Sequence, residues 1–578
     1  MIAHGVAKSE RAIVGHVGVL GSTSIALEDP VVGRDVLELV SSAMYVDPMT
    51  VYREYVQNAT DAIEEARRRG LLGATELGRV EIAVDPSTRN IRIRDNGSGI
   101  GWPEFARRLT ALGASVKRGT SARGFRGVGR LAGLGYAQEL VFRSRIPGED
   151  LVSELRWDCR RMKAAFRSSE PDSGVATLIR SIVTVERVAA ADHPDRFFEV
   201  ELRGILRLRN DRLMSPTAIA EYLSQVAPVP FAPDFRFGPE ITEALRQNVD
   251  LGNLEIVVDG VDGPVFRPHR NQFVADDKRT ITFEDVEFVT VPGIDGETAA
   301  VGWILHHAYE GAIPSGSLYK GLRLRSGNVQ VGDHASLEEL FPEPRFNVWS
   351  VGEIHVIDRR IVPNGRRDHF EQSAHFHNLI NHLTPTARDI ARRCRTSSIR
   401  RKWLREFDLH HSGVMERLGI IRQGSLARAK RDALVVSLEP TLLQMEKIAG
   451  MSVLSDDGPD ELLKMIRRLR AEIAAAVRGV VPEASPLARL PPRRRSMYEH
   501  LFSLVYECSA NRVAAKALVD RILDKLNAAG DENIVTGRIK KAVAKDVRAR
   551  KAVAKKGPIG KTRAKKVAVQ KVSRKKRP

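Results

Sequence analysis

Residues 47–70, DPMTVYREYVQNATDAIEEARRRG, constrain the fold of this chain most, because they predict one helix with both ends marked. Asp47 can accept hydrogen bonds from the free amides of the first turn, and Pro48 suits the first helical position. Gly70 can adopt the left-handed conformation that ends a helix. Apolar side chains recur along one face at helical spacing: Val51, Tyr52, Tyr55, Val56, Ala59, Ala62, Ile63 and Ala66.

Polar side chains form a row on the opposite face of this helix. Glu54, Asn58 and Asp61 lie at positions i, i+4 and i+7, which places a carboxylate, an amide and a second carboxylate in one line. For the helix alone, a solvated surface is the better interpretation. Two glycine-containing clusters further along the chain favour a binding pocket.

The first of these clusters follows a predicted pair of strands. Residues 80–84 and 91–94 alternate apolar and polar side chains, as half-buried strands do. Asp95 continues the apolar face of the second strand, and a buried carboxylate requires a hydrogen-bonding partner, such as the exocyclic amine of adenine. Gly97 and Gly99 would let the backbone approach a flat base closely.

The second cluster is the segment Gly124-Phe125-Arg126-Gly127-Val128-Gly129, which leads into a helical pattern at residues 131–136. Glycines at the start of a helix expose amides that can bind phosphate. Taken alone, such a segment is more often a flexible turn than a phosphate site.

In this order and spacing, the three groups of residues resemble the GHKL ATP-binding fold, which the ATPase subunit of DNA gyrase, the ninety-kilodalton heat-shock chaperones, histidine kinases and MutL share. The motif positions are Glu54, Asn58 and Asp61, then Asp95, Gly97 and Gly99, then Gly124, Gly127 and Gly129. A fourth position, a threonine on a late strand, is matched more loosely by Thr177. The resemblance covers roughly residues 35–185 and implies an α/β sandwich with helices on a mixed sheet.

This resemblance also implies ATP as ligand, Mg²⁺ as cofactor and a role for each matched residue. Glu54 would be the base that orients the attacking water. Asn58 would offer an amide oxygen to Mg²⁺, which prefers hard oxygen ligands. Asp95 would select adenine, and Asp61 would order the pocket.

The remaining matched positions would contact the phosphates and close the site. Residues 124–129, with Val128 among them, would hold the phosphates, and Thr177 would support the base site. Residues 103–123 begin as a helix and end in a Gly/Ser/Lys segment, a composition typical of a mobile lid. Within this predicted lid, Lys117 would supply a contact that the heat-shock chaperones make with another lysine.

A second α/β domain is predicted beyond the nucleotide domain. Its candidate strands are residues 254–258, 280–282, 286–291, 299–305, 322–325 and 354–357, and its candidate helices are residues 218–226 and 374–383. Residues 361–368, IVPNGRRD, resemble a middle-domain segment of the heat-shock chaperones. That alignment places Arg367 where the family has an arginine that reaches the ATP γ-phosphate, although Arg366 could serve instead. An arginine from a second domain can stabilise charge that develops during phosphoryl transfer, whereas the ordinary interpretation is a surface charge.

The predicted fold class is therefore α+β and multidomain, and its last third is helical. Helices are expected at residues 426–436, 459–477, 494–508 and 512–527. The expected divisions are a lead-in at 1–34, the ATP-binding domain at 35–190, the middle α/β domain at 191–390, the helical domain at 391–530 and a disordered basic tail at 531–578.

Charge is concentrated in the tail. The chain of 578 residues has a net charge of +19, and residues 538–578 contain 18 Lys or Arg and one acid, a net of +17, which leaves +2 for the rest. Such a tail either contacts nucleic acid non-specifically or keeps the protein soluble. No apolar run approaches about 18 residues, so no membrane span is predicted. The three widely spaced cysteines favour a reducing, cytoplasmic setting without a metal site of their own.

Three functions are compatible with this fold. The first is a chaperone-like ATPase whose lid and domains close on ATP, with a client protein as partner and homodimerisation as a possibility. The second is a DNA-associated ATPase of the MutL or MORC kind, for which Gly124-Phe125-Arg126-Gly127 and the basic tail speak. A histidine kinase is disfavoured, because too little chain precedes Asp47 for a phosphoacceptor helix. Fold alone does not separate the first two.

Overall fold

The structure is a computed structural model of the chain, and it describes residues 33–39, 47–73, 76–112, 129–168, 174–190, 192–208, 210–252, 254–275, 278–457, 459–479 and 486–528. The chain forms two compact units, which divide between residues 398 and 399. The first unit contains both of the larger β-sheets, and the second is helical.

The first sheet of the described chain has seven strands. They are β1 (Gly78–Asp85), β2 (Asn90–Asp95), β3 (Glu139–Arg145), β4 (Leu151–Asp158), β5 (Val183–Ala189), β6 (Phe197–Arg203) and β7 (Leu254–Val258). Their order in the sheet is β5-β4-β3-β6-β2-β1-β7. β1 and β7 pair in parallel, and the other neighbours pair antiparallel, so the predicted mixed sheet is confirmed.

Helices pack on this sheet and bury its apolar face. They are α1 (Asp35–Glu38), α2 (Thr50–Arg68), α3 (Trp102–Thr110), α4 (Cys159–Arg167), α5 (Val175–Ile182) and α6 (Pro216–Val226). A further helix, α7 (Gly238–Leu245), packs in a separate core with residues of the second sheet. The predicted apolar arc of α2 lies in the core beside Val80, Ile82, Ile91 and Ile93 of the sheet. Hydrophobic burial along this one face is the main force that positions α2.

The predicted boundary at residue 190 is wrong, because it separates strands of one sheet. β6 and β7 lie beyond residue 190, yet β6 pairs with β2 and β3, and β7 pairs with β1. Strand patterns show which residues alternate, but they do not show which sheet a distant segment joins. The first sheet therefore extends to residue 258.

A second sheet of five strands follows in the same unit. After a small pair, β8 (Gln272–Val274) and β9 (Thr280–Thr282), its strands are β10 (Asp285–Pro292), β11 (Thr298–His306), β12 (Gly321–Ser326), β13 (Val329–Val331) and β14 (Val351–Val356). The order is β10-β11-β14-β12-β13, with β12 and β14 parallel. All six predicted strands of residues 254–357 are present, with ends that differ by at most three residues.

The remaining helices begin with α8 (Ala374–Gln423), a 50-residue helix. It continues through Pro385, so the predicted end at residue 383 is wrong, and so is the predicted domain boundary at 390. A proline inside a helix normally favours a break, but here apolar side chains on both sides of it, from Leu379 to Cys394, are buried.

Beyond α8 the described helices are α9 (Arg428–Val436), α10 (Glu439–Ala449), α11 (Pro459–Gly479), α12 (Pro492–Cys508) and α13 (Arg512–Ala528), which confirms the predicted helical region. The basic tail lies outside the described residues. Among the helices that the structure describes, none combines the length and hydropathy of a membrane span.

Candidate functional site

The two tyrosines of α2 fix how this helix is rotated in the site. The hydroxyl of Tyr52 donates a hydrogen bond to the carbonyl of Leu213 at 2.6 Å. The hydroxyl of Tyr55 accepts one from the amide of Gly133, at 2.9 Å, in a short 3₁₀ helix (Gly129–Gly135). Burial raises the pKa of Tyr52 well above its ordinary value, so this hydroxyl stays protonated. Both bonds are buried, and they hold the polar row in one direction.

The start of α2 differs slightly from the prediction. Asp47 accepts a hydrogen bond from the amide of Met49 at 3.0 Å, while the regular helix begins at Thr50. Asp47 and Pro48 therefore form a turn ahead of the helix, and their carbonyls accept bonds from the amides of Thr50 and Val51.

The polar row on α2 does not form a solvated surface. Glu54 is 7% exposed and Asp61 is 4% exposed, while Asn58 between them is partly exposed. Burying charged groups is unfavourable unless they are paired, so two carboxylates on one buried face point to a site rather than to a surface. The side-chain amide of Asn58 makes no hydrogen bond among the described residues and is free to bind a ligand.

Asp95 lies where the sequence predicts, at the buried end of β2. Its carboxylate accepts a hydrogen bond from the amide of Gly97 at 2.9 Å, and its residue is 5% exposed. The amide of Ser98 donates to the carbonyl of Ala62 at 3.0 Å, which ties this loop to α2.

The two glycines of this loop are required by close contacts within the protein. A Cβ atom on Gly97 would lie 2.7 Å from the Cβ of Ala62, and one on Gly99 would lie 2.6 Å from the carbonyl oxygen of Arg145. Gly99 also has a φ of +65°, a backbone conformation that residues with a Cβ atom rarely adopt. The glycines hold Asp95 against α2 by letting the backbone itself approach.

Gly129, the last residue of the predicted phosphate segment, lies against Glu54. A Cβ atom there would fall 2.1 Å from Oε2 of Glu54, so any larger residue would displace the carboxylate. Gly124, Gly127, Val128 and Lys117 lie outside the described residues.

Arg367, in the segment that follows the last strand of the second sheet, contacts Glu54. Its Nε atom lies 3.4 Å from Oε1 of Glu54, and the amide of Gly332 donates to its carbonyl at 2.9 Å. Arg367 has a φ of +57°, a conformation that non-glycine residues rarely adopt. Such local strain occurs where a side chain must be held in one direction, and functional sites are frequent examples.

The resemblance led us to expect Thr177 on a strand, but the structure places it in a helix. It lies in the first turn of α5, and its side chain is exposed. The direct strand partners of Asp95 are Phe198 of β6 and Val80 of β1. The segment around Thr177 is apolar enough to suit either a strand or a helix, and the structure extends α5 through it. Thr177 therefore does not occupy the strand position beside Asp95.

Two residues of the site have no counterpart among the predicted site residues. Arg53 donates a hydrogen bond to the carbonyl of Arg366 at 2.9 Å and lies 3.7 Å from Glu54. Gln57 is 2% exposed, and neither atom of its amide has a hydrogen-bond partner. Gln57, at i+3 from Glu54, lies on the same helix face, so the sequence did offer a signal for it. Arg53, at i−1, is rotated by about 100° from Glu54 and offered none.

The donor set of the site fits ATP with Mg²⁺. Among the described residues no three His, Cys, Asp or Glu side chains are arranged to hold a metal. Mg²⁺ commonly binds one or two protein ligands together with phosphates and water, so Asn58 alone is sufficient on the protein side. The backbone at Gly97 lies close to Asp95, and the backbone at Gly129 lies close to Glu54.

Comparison with known proteins agrees with this geometry. Residues 46–181 match the family described as histidine kinase-, DNA gyrase B- and HSP90-like ATPase. The chaperone protein HtpG of Mesorhizobium japonicum is 34% identical over 91 residues, which are 15% of this chain and 14% of the relative. HtpG of Streptomyces coelicolor is 28% identical over 158 residues, which are 24% of each chain. The similarity thus spans a quarter or less of the length of these curated relatives.

Proposed function

We propose, on the premise that residues 46–181 form an HSP90-like ATPase domain, that this protein binds and hydrolyses ATP with Mg²⁺ and acts as a chaperone-like clamp on a client protein. The observation that carries the proposal is the contact between Arg367 and Glu54, 3.4 Å apart. It joins an arginine beyond the second sheet to the residue expected to act as base.

Each side chain then has a defined task. Asp95 accepts the exocyclic amine of adenine at the buried end of β2. Asn58 would hold Mg²⁺ through its amide oxygen, and the ion would supply positive charge to the phosphates when bound. Glu54 accepts a proton from the attacking water, and Arg367 stabilises the negative charge that develops on the transferred phosphoryl group.

A chaperone-like role is favoured over a DNA-associated one because the relatives matched are HtpG chaperones. The pairing of Glu54 with Arg367 supports closure of the two sheet-bearing parts around the nucleotide. In this proposal the predicted lid of residues 103–123 and a homodimer assist the clamp.

Asp95→Asn tests nucleotide recognition. The carboxylate can accept hydrogen bonds through both oxygens, one from the amine of adenine and one from the amide of Gly97. An asparagine amide has only one accepting oxygen, so it cannot accept both bonds in the same geometry. ATP binding measured by calorimetry should be abolished. Asp262→Asn, at an exposed turn, is the matched control and should bind normally. Unchanged affinity in Asp95→Asn would contradict the proposal.

The basic tail favours a second candidate, a DNA-associated ATPase, because 18 cationic side chains in residues 538–578 would neutralise phosphates. ATP turnover should be measured with and without DNA, on the intact chain and on a chain that ends at Gly537. Stimulation by DNA that is lost on truncation would favour this candidate. Turnover that ignores DNA and survives truncation would favour the chaperone-like one.

A further inference from the structure

Gln57, on α2 one residue before Asn58, buries a side-chain amide that the fold itself does not use. The residue is 2% exposed, and neither its Oε1 atom nor its Nε2 atom has a hydrogen-bond partner. An amide carries both an acceptor and a donor, so burying it without partners opposes folding. An unsatisfied group of this kind in a native protein needs an explanation, and a catalytic role or a bound water is one.

One other buried side chain of the described residues, that of His269, has two polar atoms that both lack a partner. Its ring packs against those of Phe231, Phe235 and Trp303, so His269 belongs to an aromatic core. Gln57 instead lies on the helix that carries the buried polar row of the candidate site. Its surroundings are therefore those of a functional group rather than of a core residue.

The neighbours of Gln57 on α2 do not satisfy its amide. Helical spacing places Arg53, Glu54 and Asp61 next to it, at i−4, i−3 and i+4. All three are buried, and Arg53 donates to the carbonyl of Arg366 at 2.9 Å rather than to Gln57. The amide of Gln57 thus lies beside two buried carboxylates with its donor and its acceptor both available.

The direction of Gln57 around α2 separates it from the expected adenine side of the site. Gly97, in the loop after Asp95, lies against Ala62. At about 100° per residue, Ala62 is turned about 80° from Glu54 in one direction, and Gln57 about 60° in the other. Along the helix axis Gln57 is about 4.5 Å from Glu54. Its amide is therefore close to the expected base, on the side away from the loop of Asp95.

The geometry of phosphoryl transfer gives this direction a meaning. The attacking and leaving oxygens lie roughly in line, so the attacking water approaches the γ-phosphorus from the side away from ADP. A nucleotide whose base meets Asp95 and whose terminal phosphate meets Glu54 would present that side to Gln57. Water also suits an amide that has a donor and an acceptor available, because water can both accept and donate hydrogen bonds.

We propose that Gln57 positions the water that attacks ATP. The inference rests on the proposed function, which supplies the nucleotide and assigns Glu54 as the base. The water donates one hydrogen bond to Glu54 and the other to Oε1 of Gln57, which directs its oxygen at the γ-phosphorus. As that oxygen bonds to phosphorus, the bond from phosphorus to the bridging oxygen of ADP breaks. Glu54 receives one proton of the water, the other leaves with the phosphate, and Gln57 stays unchanged.

Gln57→Met tests this role, because methionine has nearly the length of glutamine but lacks the amide. Single-turnover cleavage at saturating ATP should slow by about tenfold or more, since the water loses its orientation. Affinity for ATP, measured by calorimetry, should stay the same, because the amide contacts the water and not the bound nucleotide. The melting temperature should stay the same or rise, because an amide without partners is no longer buried. A residue that only supports packing would not produce this combination.

Gln57→Leu also lacks the amide, so it repeats the test with a different shape and should behave as Gln57→Met does. Gln247→Met, at an exposed glutamine after α7, is the control and should change neither the cleavage rate nor the melting temperature. A normal cleavage rate in both variants of Gln57, or a loss of stability in both, overturns the assignment. A wild type that binds ATP without cleaving it would overturn the proposed hydrolysis. A wild type that cleaves ATP no faster than the two variants would overturn the role of Gln57 alone.

Discussion

Glu54 and Glu353 each face two arginines, but the two clusters differ in the length of their contacts and in their exposure. Around Glu54, the contacts to Arg53 and Arg367 are 3.7 and 3.4 Å long, and the three side chains are 8–12% exposed. An open pocket lies beside them.

Around Glu353 the same groups form a closed cluster. Arg325 lies 2.6 Å from one carboxylate oxygen, Arg267 contacts the other, and all three side chains are fully buried. Arg325 also donates to the carbonyl of Gln225, at 2.7 Å, near the end of α6. The pKa of Glu353 lies well below its ordinary value, because the arginines outweigh burial, so the cluster stays charged.

The difference separates a structural use of charge from a functional one. A buried ion pair adds little net stability, but the loss of one partner is strongly destabilising because it leaves an uncompensated charge. Charged groups that make only long contacts, are partly exposed and lie next to a cavity can instead interact with a ligand. The following predictions test that distinction.

The largest effect is expected for Glu353→Gln, which leaves Arg267 and Arg325 buried without a counter-charge. The free energy of unfolding should fall by about 3–5 kcal/mol, measured by urea denaturation. Glu343→Gln is the control, because its pairs with Arg345 and Arg395 are exposed and screened by solvent, so its loss should change stability little. A loss in Glu353→Gln as small as that in Glu343→Gln would mean that the cluster is not held by charge.

Glu54→Gln should reduce activity strongly while changing stability little, the opposite of what is expected for Glu353→Gln. ATP hydrolysis should fall by about 10²-fold or more, because the amide cannot accept a proton from water. ATP binding and the free energy of unfolding should change little, since the neighbouring arginines can reach the pocket and solvent. Near-normal turnover would show that another group is the base.

Arg367→Lys keeps the charge but removes the planar fork that matches a phosphate. Single-turnover hydrolysis should slow by about tenfold, less than for the loss of the base. Arg359→Lys, at an exposed arginine outside the pocket, is the control. If neither Arg367→Lys nor Arg366→Ala slows the cleavage step, the contact between Arg367 and Glu54 has no role in catalysis.

Much of the site could be predicted because its signals are local. The helix of Glu54 and Asn58 has a strong apolar period, and Asp95 follows a clear strand pattern. The placement of Arg367 followed from a short segment similar to one of a known family. Those features depend on neighbours in the sequence.

What could not be predicted depends on contacts between distant segments. β6 joins the first sheet from beyond residue 190 and pairs with the strand of Asp95, whereas Thr177 lies in a helix. The buried cluster joins Arg267, Arg325 and Glu353 from three separate segments. In the sequence these side chains are ordinary charges on or between strands, and only the tertiary fold brings them together.

The smallest predicted effect concerns His269, which lies next to the Glu353 cluster. Its residue is 2% exposed, neither ring nitrogen has a hydrogen-bond partner, and its ring packs 4.8 Å from that of Trp303. Burial, with Arg267 and Arg325 adding to it, lowers the pKa of His269 to about 3, although Glu353 opposes the shift.

The folded state therefore keeps His269 neutral, while the unfolded chain binds a proton near pH 6.5. The contribution of His269 to the free energy of unfolding is complete above about pH 6.5, and it is lost as the pH falls from there towards 3. Between about pH 7 and about pH 5.5 the loss should be about 1 kcal/mol. His269→Phe should reduce the acid sensitivity of unfolding by that amount, whereas His382→Phe, at an exposed histidine, should not. An unchanged pH dependence in His269→Phe would show that the ring is not held neutral by the fold.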